Sequence, residues 1–293
     1  MKTYVFQTIS GFTTRDLFHA YDYLTPLHFE EGDFALLCVS ILYFPNLTAP
    51  SLPKTYMNFR PSYFLFLFFQ LVLFHQGINA QTIFFEGREF ELSHVKATVV
   101  QLRGESVLRI ERDLNSLPFD PTRMGATVDE ATFAKLKGLD MDNGIMEVEV
   151  LSRLLPNAPA LARGFIGIAF RINADRSAFE SIYLRPTNGR AEDQFRRNHS
   201  IQYFAYPDYK FDKLRATTQG EYETYADIGL DEWIRVKIVV KDKTATLFLN
   251  EQKAPAFLVT KMLGSTTSGS IGLWVDIGTE GFFKNLKISS LED

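Results

Sequence analysis

From Trp233 the chain reads WIRVKIVV, in which Ile234, Val236, Ile238 and Val240 alternate with Arg235, Lys237 and Val239. A period of two puts the aliphatic residues on one face of an extended strand and the charges on the other. Similar short segments recur at 94–102, 106–111, 144–154, 164–172, 178–186, 200–206, 244–251, 270–277 and 281–289, with turn residues between them. Many short strands punctuated by turns mark a sandwich or a barrel. Helical period is confined to 131–138 and 191–198, each too short to be a core helix. Strands that do not alternate with helices exclude a parallel βαβ sheet. The expected fold is all-β: a two-sheet antiparallel jelly-roll sandwich, with no second domain or repeat after Ala80.

Ahead of the strands lies a different kind of sequence. Residues 63–74 read YFLFLFFQLVLF, with Arg60 before them and Ile78-Asn79-Ala80 after. A charged start, an apolar run and a small residue at the end are the parts of a secretory signal peptide. A spanning helix needs about 20 apolar residues, so this run predicts a leader and no membrane span in the mature form. Met57 is the expected initiator and Ala80–Gln81 the expected cleavage point, giving a leader over 57–80 and a mature domain over 81–293. Residues 1–56 are then an over-extended or disordered appendage. The expected destination is outside the cytoplasm, either periplasmic or extracellular.

Composition narrows the chemistry. Of the 31 Lys+Arg and 35 Asp+Glu, 27 and 30 follow Ala80, a net charge of −3. That balance argues against a nucleic-acid surface, which needs a basic excess. The single cysteine, Cys38, precedes Ala80. Disulfides therefore cannot brace the exported domain, and thiolate zinc sites and cysteine nucleophiles are excluded with them. No metal site or cofactor is expected. Asp140-Met141-Asp142-Asn143-Gly144 begins like a calcium loop, but the distal glutamate of that motif is missing. A structural calcium stays open there beside the simpler reading, a turn.

The order of segments resembles the concanavalin A-like lectin/glucanase superfamily, over roughly residues 90–288. Within it the chain is most similar to laminin-G-like domains and to the 3-keto-disaccharide hydrolase type of exported domain. The residues that carry the resemblance are Trp233 opening a strand, the 243–250 strand ending in Asn250, and Phe283-Lys284-Asn285-Leu286 in the closing strand. The resemblance implies a sandwich whose concave sheet face holds a glycan or glycoside. Glucanases of this kind use same-face carboxylates on one strand. Here Glu147 and Glu149 hold two such positions, and Ser152 stands where a third would be. Two glutamates at i and i+2 sit roughly 6.5–7 Å apart, beyond the roughly 5–5.5 Å of retaining carboxyl pairs.

The richest candidate site is the stretch over 183–209. Sugars are held by flat aromatic faces and by planar donors and acceptors, and this stretch supplies both. Tyr183 and Arg185 share one strand face. Arg196, Arg197, Asn198 and His199 lead into a strand on which Gln202 and Tyr203 face opposite sides, and Arg163 starts the preceding strand. Long connections in compact β domains tend to be functional. The weak catalytic candidates are Glu147, Glu149 and His199. The expected function is carbohydrate binding or processing. Alternatives are a glycoside hydrolase and a laminin-G-like protein-interaction module. Oligomeric state is not legible.

Overall fold

The alternation at Ile234–Lys241 is realised as burial: Ile234, Val236, Ile238 and Val240 are buried, while Arg235 and Lys241 face water. The computed structural model describes residues 81–291. The expected leader and the residues before it lie outside the described residues.

The strands are, in chain order, β1 (Thr82–Phe85), β2 (Arg88–Ser93), β3 (Val95–Leu102), β4 (Glu105–Arg112) and β5 (Phe133–Leu136). There follow β6 (Gly144–Leu154), β7 (Ile166–Ile172), β8 (Phe179–Leu184), β9 (Ile201–Tyr206) and β10 (Glu223–Thr224). The last five are β11 (Ile234–Lys241), β12 (Thr244–Leu249), β13 (Phe257–Val259), β14 (Ser270–Val275) and β15 (Thr279–Ser289). They form two sheets. The larger has the order β1-β2-β5-β14-β7-β8-β9-β10, and the smaller β13-β12-β11-β6-β15-β4-β3. The pairings within both sheets are antiparallel.

The core fills the space between the sheets. Met146, Val148 and Val150 of β6, Phe283 of β15 and Ile166 of β7 are all buried. Side chains of this kind each contribute roughly 1.5–3 kcal/mol when fully buried. Gly281 marks a close approach: a Cβ there would lie 2.6 Å from Val275 Cγ1 and 3.2 Å from Ile166 Cδ1.

The outer face of the larger sheet is also buried, which a two-layer sandwich does not require. β7, β8 and β14 are buried at every position. Trp274, Gly167, Tyr183 and Gln202 line up across four neighbouring strands. Gly167 has no side chain between the flanking rings, and Tyr183 and Trp274 approach to a centroid distance of 4.8 Å. Phe204 and Phe179 extend this aromatic layer.

What covers the layer is a roof of two segments. One joins β4 to β5 and includes the short helix α1 (Met124–Thr127). The other follows β9 and carries the helix α4 (Phe211–Thr218), whose Leu214 is buried. Between them in sequence lie two single-turn helices, α2 (Pro186–Gly189) and α3 (Gln194–Arg197). The two roof segments are tied together. Phe211 N donates to Asp129 Oδ2 at 2.9 Å, and Lys210 Nζ reaches Gly125 O at 3.2 Å and pairs with Glu130. Trp274 Nε1 donates to Glu130 O at 2.8 Å, which fixes the roof to the sheet.

The fold class expected from the sequence is the one observed. Two local expectations differ. Residues 131–138, expected to be helical, contain β5, because Phe133, Ala134 and Leu136 are buried between β2 and β14. The face of the larger sheet that carries the aromatic layer is not an open groove, because the roof covers it.

Candidate functional site

Where the roof meets the 185–199 connection it leaves a cavity of about 250 Å³. Its lining includes Tyr183, Arg185 and Phe165 from the sheet side, and Val128, Asp129 and Phe211 from the roof. Arg163, Asn188, Phe195, Arg196 and His199 border it from the neighbouring connections.

Arg185 is the pivot of the polar side. It is 5% exposed. Nη2 donates to Tyr183 Oη at 2.6 Å and to Gln202 Oε1 at 3.0 Å, and Nη1 donates to Glu223 Oε1 at 2.7 Å. Burial works against its charge, but Tyr183 and Glu223 outweigh that and hold its pKa above the ordinary value. Glu223 also accepts from Arg215 Nε at 2.9 Å and Nη2 at 2.6 Å. Burial pushes its pKa upward, and the two arginines overcome this and hold it below the usual range.

Asp129 behaves differently. It is buried, and burial reinforced by the neighbouring Asp276 carboxyl raises its pKa to about 6. Phe211 N is its one side-chain hydrogen-bond partner among the described residues. Asp276, by contrast, accepts from Arg112 Nη1 at 2.6 Å, Asp129 N at 2.9 Å and Ile277 N at 2.7 Å. One of these two neighbouring carboxyls is consumed by structure, and the other titrates close to neutrality beside a cavity.

His199 places Nδ1 2.9 Å from Glu223 Oε2, outside hydrogen-bonding geometry, and Nε2 has no partner among the described residues. Burial lowers its pKa, and the Glu223 carboxylate acts in the opposite direction. Phe195 packs edge-on against it at 4.5 Å between centroids, yet Phe195 is 68% exposed. An exposed ring on a cavity rim is a ready platform for an apolar ligand face.

The sequence candidates are partly brought together. Tyr183, Arg185, Arg163 and His199 line the cavity. Gln202 lies beneath Arg185 and is fully buried. Arg197 stands over Tyr225 at 5.6 Å, and Asn198 accepts from Gln194 Nε2 at 2.8 Å, both outside the lining. Tyr203 is separated from the site, because strand alternation turns it to the opposite side of β9 from Gln202. There it donates to Glu180 and accepts from Leu263 N at 2.7 Å. Glu147 and Glu149 lie on the other sheet, in a groove of about 660 Å³ with Arg235 and Lys287. Glu149 accepts from Asn285 Nδ2 at 2.9 Å and has Lys284 Nζ 3.5 Å away.

Asp129 and Phe195 are among the cavity residues that were not singled out from sequence. Phe195 had a signal, as the one large apolar residue in the polar run AEDQFRRN. Asp129 had none, since its burial depends on a roof segment about 80 residues away. At the turn over 140–144, Arg171 Nη2 donates to Asp142 O at 2.9 Å and to Asp242 O at 2.7 Å, so the cation facing those carbonyls is the protein's own. No group of three or more His, Cys, Asp and Glu among the described residues is arranged to hold a metal ion. No described helix is long and apolar enough to cross a membrane.

No protein-family model matches the chain, and no curated protein matches it in sequence. Among solved structures it is similar to the carbohydrate binding module CBM66 from Bacillus subtilis. The identity is 11%, with 68% of this chain and 97% of that one covered and a TM-score of 0.44. It is similar to the Caenorhabditis elegans galectin LEC-6 at 10% identity, over 54% of this chain and 94% of that one, with a TM-score of 0.31. Domain 4 of the Geobacillus stearothermophilus arabinanase AbnA is a third, at 13% identity, 69% and 75% coverage, and a TM-score of 0.32. Likenesses this distant transfer no residue role.

Proposed function

We propose that the chain is an exported carbohydrate-binding protein whose site is the cavity at the end of the larger sheet. The observation that carries this reading is Phe195, an exposed ring beside the planar donors Arg163 and Arg196 and the unpartnered Nε2 of His199. A sugar ring has an apolar C–H face and a rim of hydroxyls, and this arrangement answers both. The cavity is smaller than the roughly 300–1,000 Å³ of sites for drug-sized ligands, which suits one sugar unit or the end of a chain. Titration of a panel of monosaccharides and short oligosaccharides, by calorimetry, tests it. Binding that Phe195→Ala abolishes, with unchanged thermal stability, is expected. No binding across the panel, or binding indifferent to that substitution, overturns it.

Asp129 favours a second reading, in which the bound sugar is processed. A carboxyl with a pKa of about 6 in a cavity can give or take a proton near neutral pH. A two-carboxylate glycosidase would need a free partner, and Asp276 is held by Arg112. The chemistry that fits is single-residue proton transfer. Turnover of an aryl glycoside, lost in Asp129→Asn, supports this reading, and turnover preserved in that variant refutes it. Export rests on the leader-like run over 63–74. A mature protein whose N-terminal peptide begins at Gln81 agrees with it, and one retaining residues before Tyr63 does not.

A further inference from the structure

Several of the more exposed arginines of this protein pair with carboxylates. Arg153 reaches Asp231 at 2.7 Å, Arg190 reaches Asp227 at 2.6 Å and Glu232 at 3.0 Å, and Arg103 reaches Asp231 at 3.1 Å. On the polar side of the cavity, Arg185 and Arg215 share Glu223. Against that background two arginines of the cavity stand out. Arg163 donates from Nη1 only to main-chain carbonyls, Ala160 O at 2.7 Å and Ala162 O at 2.8 Å. Arg196 reaches only a neutral amide, Asn188 Oδ1 at 3.3 Å, and its Nε is buried with no partner. Neither is paired to a carboxylate among the described residues.

The two also act on one another. The charges bearing on Arg163 are Arg196 and Arg185, both positive, and together with burial they lower its pKa. Like charges held together in a half-buried place are costly unless something neutralises them. A carboxylate accepts two parallel N–H bonds from a guanidinium, and such charge-assisted bonds are about twice as strong as neutral ones.

We propose that the sugar held in this cavity is acidic, and that Arg163 and Arg196 receive its carboxylate. The proposal rests on the carbohydrate reading of the same site and adds the ligand's charge. The hydroxyl-bearing ring then lies towards Phe195 and His199, and the carboxylate towards the two unpaired guanidinium groups. A uronic acid, alone or at the end of a chain, has this shape.

The test is calorimetric titration of the full chain at pH 7 with glucuronate, galacturonate, glucose, galactose and acetate. At least one uronate is expected to bind about ten-fold tighter than its neutral counterpart, the weight of roughly one charge-assisted hydrogen bond. Arg196→Gln should remove that advantage, bringing uronate affinity down to that of the neutral sugar, while leaving the melting temperature unchanged. Arg163→Gln serves as the second variant should the first unfold. Equal affinity for uronate and neutral sugar overturns the acidic ligand and leaves the carbohydrate reading standing. Equal affinity for acetate and uronate keeps the anion site but overturns the carbohydrate reading. Binding of none of the five overturns both.

Discussion

Arg112 Nη1 donates to Asp276 Oδ1 at 2.6 Å, and both side chains are sealed from water. The same guanidinium donates to Thr127 O at 2.7 Å, Leu117 O at 3.2 Å and Pro118 O at 3.2 Å. One ion pair therefore joins the last residue of β4, the turn after β14 and the roof segment between β4 and β5. Asp276 passes the constraint on, because its Oδ2 accepts from Asp129 N. The cavity's titrating carboxyl is thus placed by an ion pair whose Asp276 also borders the cavity.

Arg112→Met should cost about 3–5 kcal/mol, because it leaves a buried carboxylate without its counter-ion. Chemical denaturation reads the cost. A loss below about 1 kcal/mol would show that the pair does not hold the roof.

Asp129 sets a pH dependence. Its ordinary pKa is 3.8, and in the fold it is about 6. Between those values the folded chain binds a proton that the unfolded chain has released, so stability falls as pH rises through this window. The difference between pH 4 and pH 7 is on the order of 3 kcal/mol from this group. Asp129→Asn should flatten the stability profile by that amount over that range. An unchanged profile would place the Asp129 carboxyl in water.

Tyr203 lies on the side of β9 away from the cavity. Tyr203→Phe leaves Leu263 N–H and the Glu180 carboxyl short of a partner, and should cost about 1–3 kcal/mol of stability. Ligand affinity should not move. A weakened affinity at unchanged stability would mean that this tyrosine reaches the ligand.

Glu147→Gln and Glu149→Gln should leave both binding and any turnover unchanged, since these side chains stand on the other sheet. Loss of turnover in either variant would move the chemistry to the groove beside Arg235 and Lys287.

The sequence was most legible where one strand face is wet. The segment at 144–154 coincides with β6, because Glu147 and Glu149 alternate with Met146, Val148 and Val150. It was least legible at the roof. Residues 211–218 form a helix with only Leu214 buried, so no apolar stripe announces it. β7 did carry a sign of the roof: in IGIAFRI neither face is polar over Ile166–Phe170, the mark of a strand covered on both sides. Tyr183 and Arg185 were visible as a same-face pair, but their burial was not. It is imposed by segments far away in the chain.

The most direct test of the account is where a sugar lands. Amide chemical-shift mapping of isotope-labelled protein, titrated with the monosaccharide panel, reads this without assuming which sugar binds. The account predicts shifts gathered at Arg163, Asn188, Phe195, Arg196 and His199. Shifts gathered instead at Glu147, Glu149 and Arg235, or none with any sugar, would contradict it.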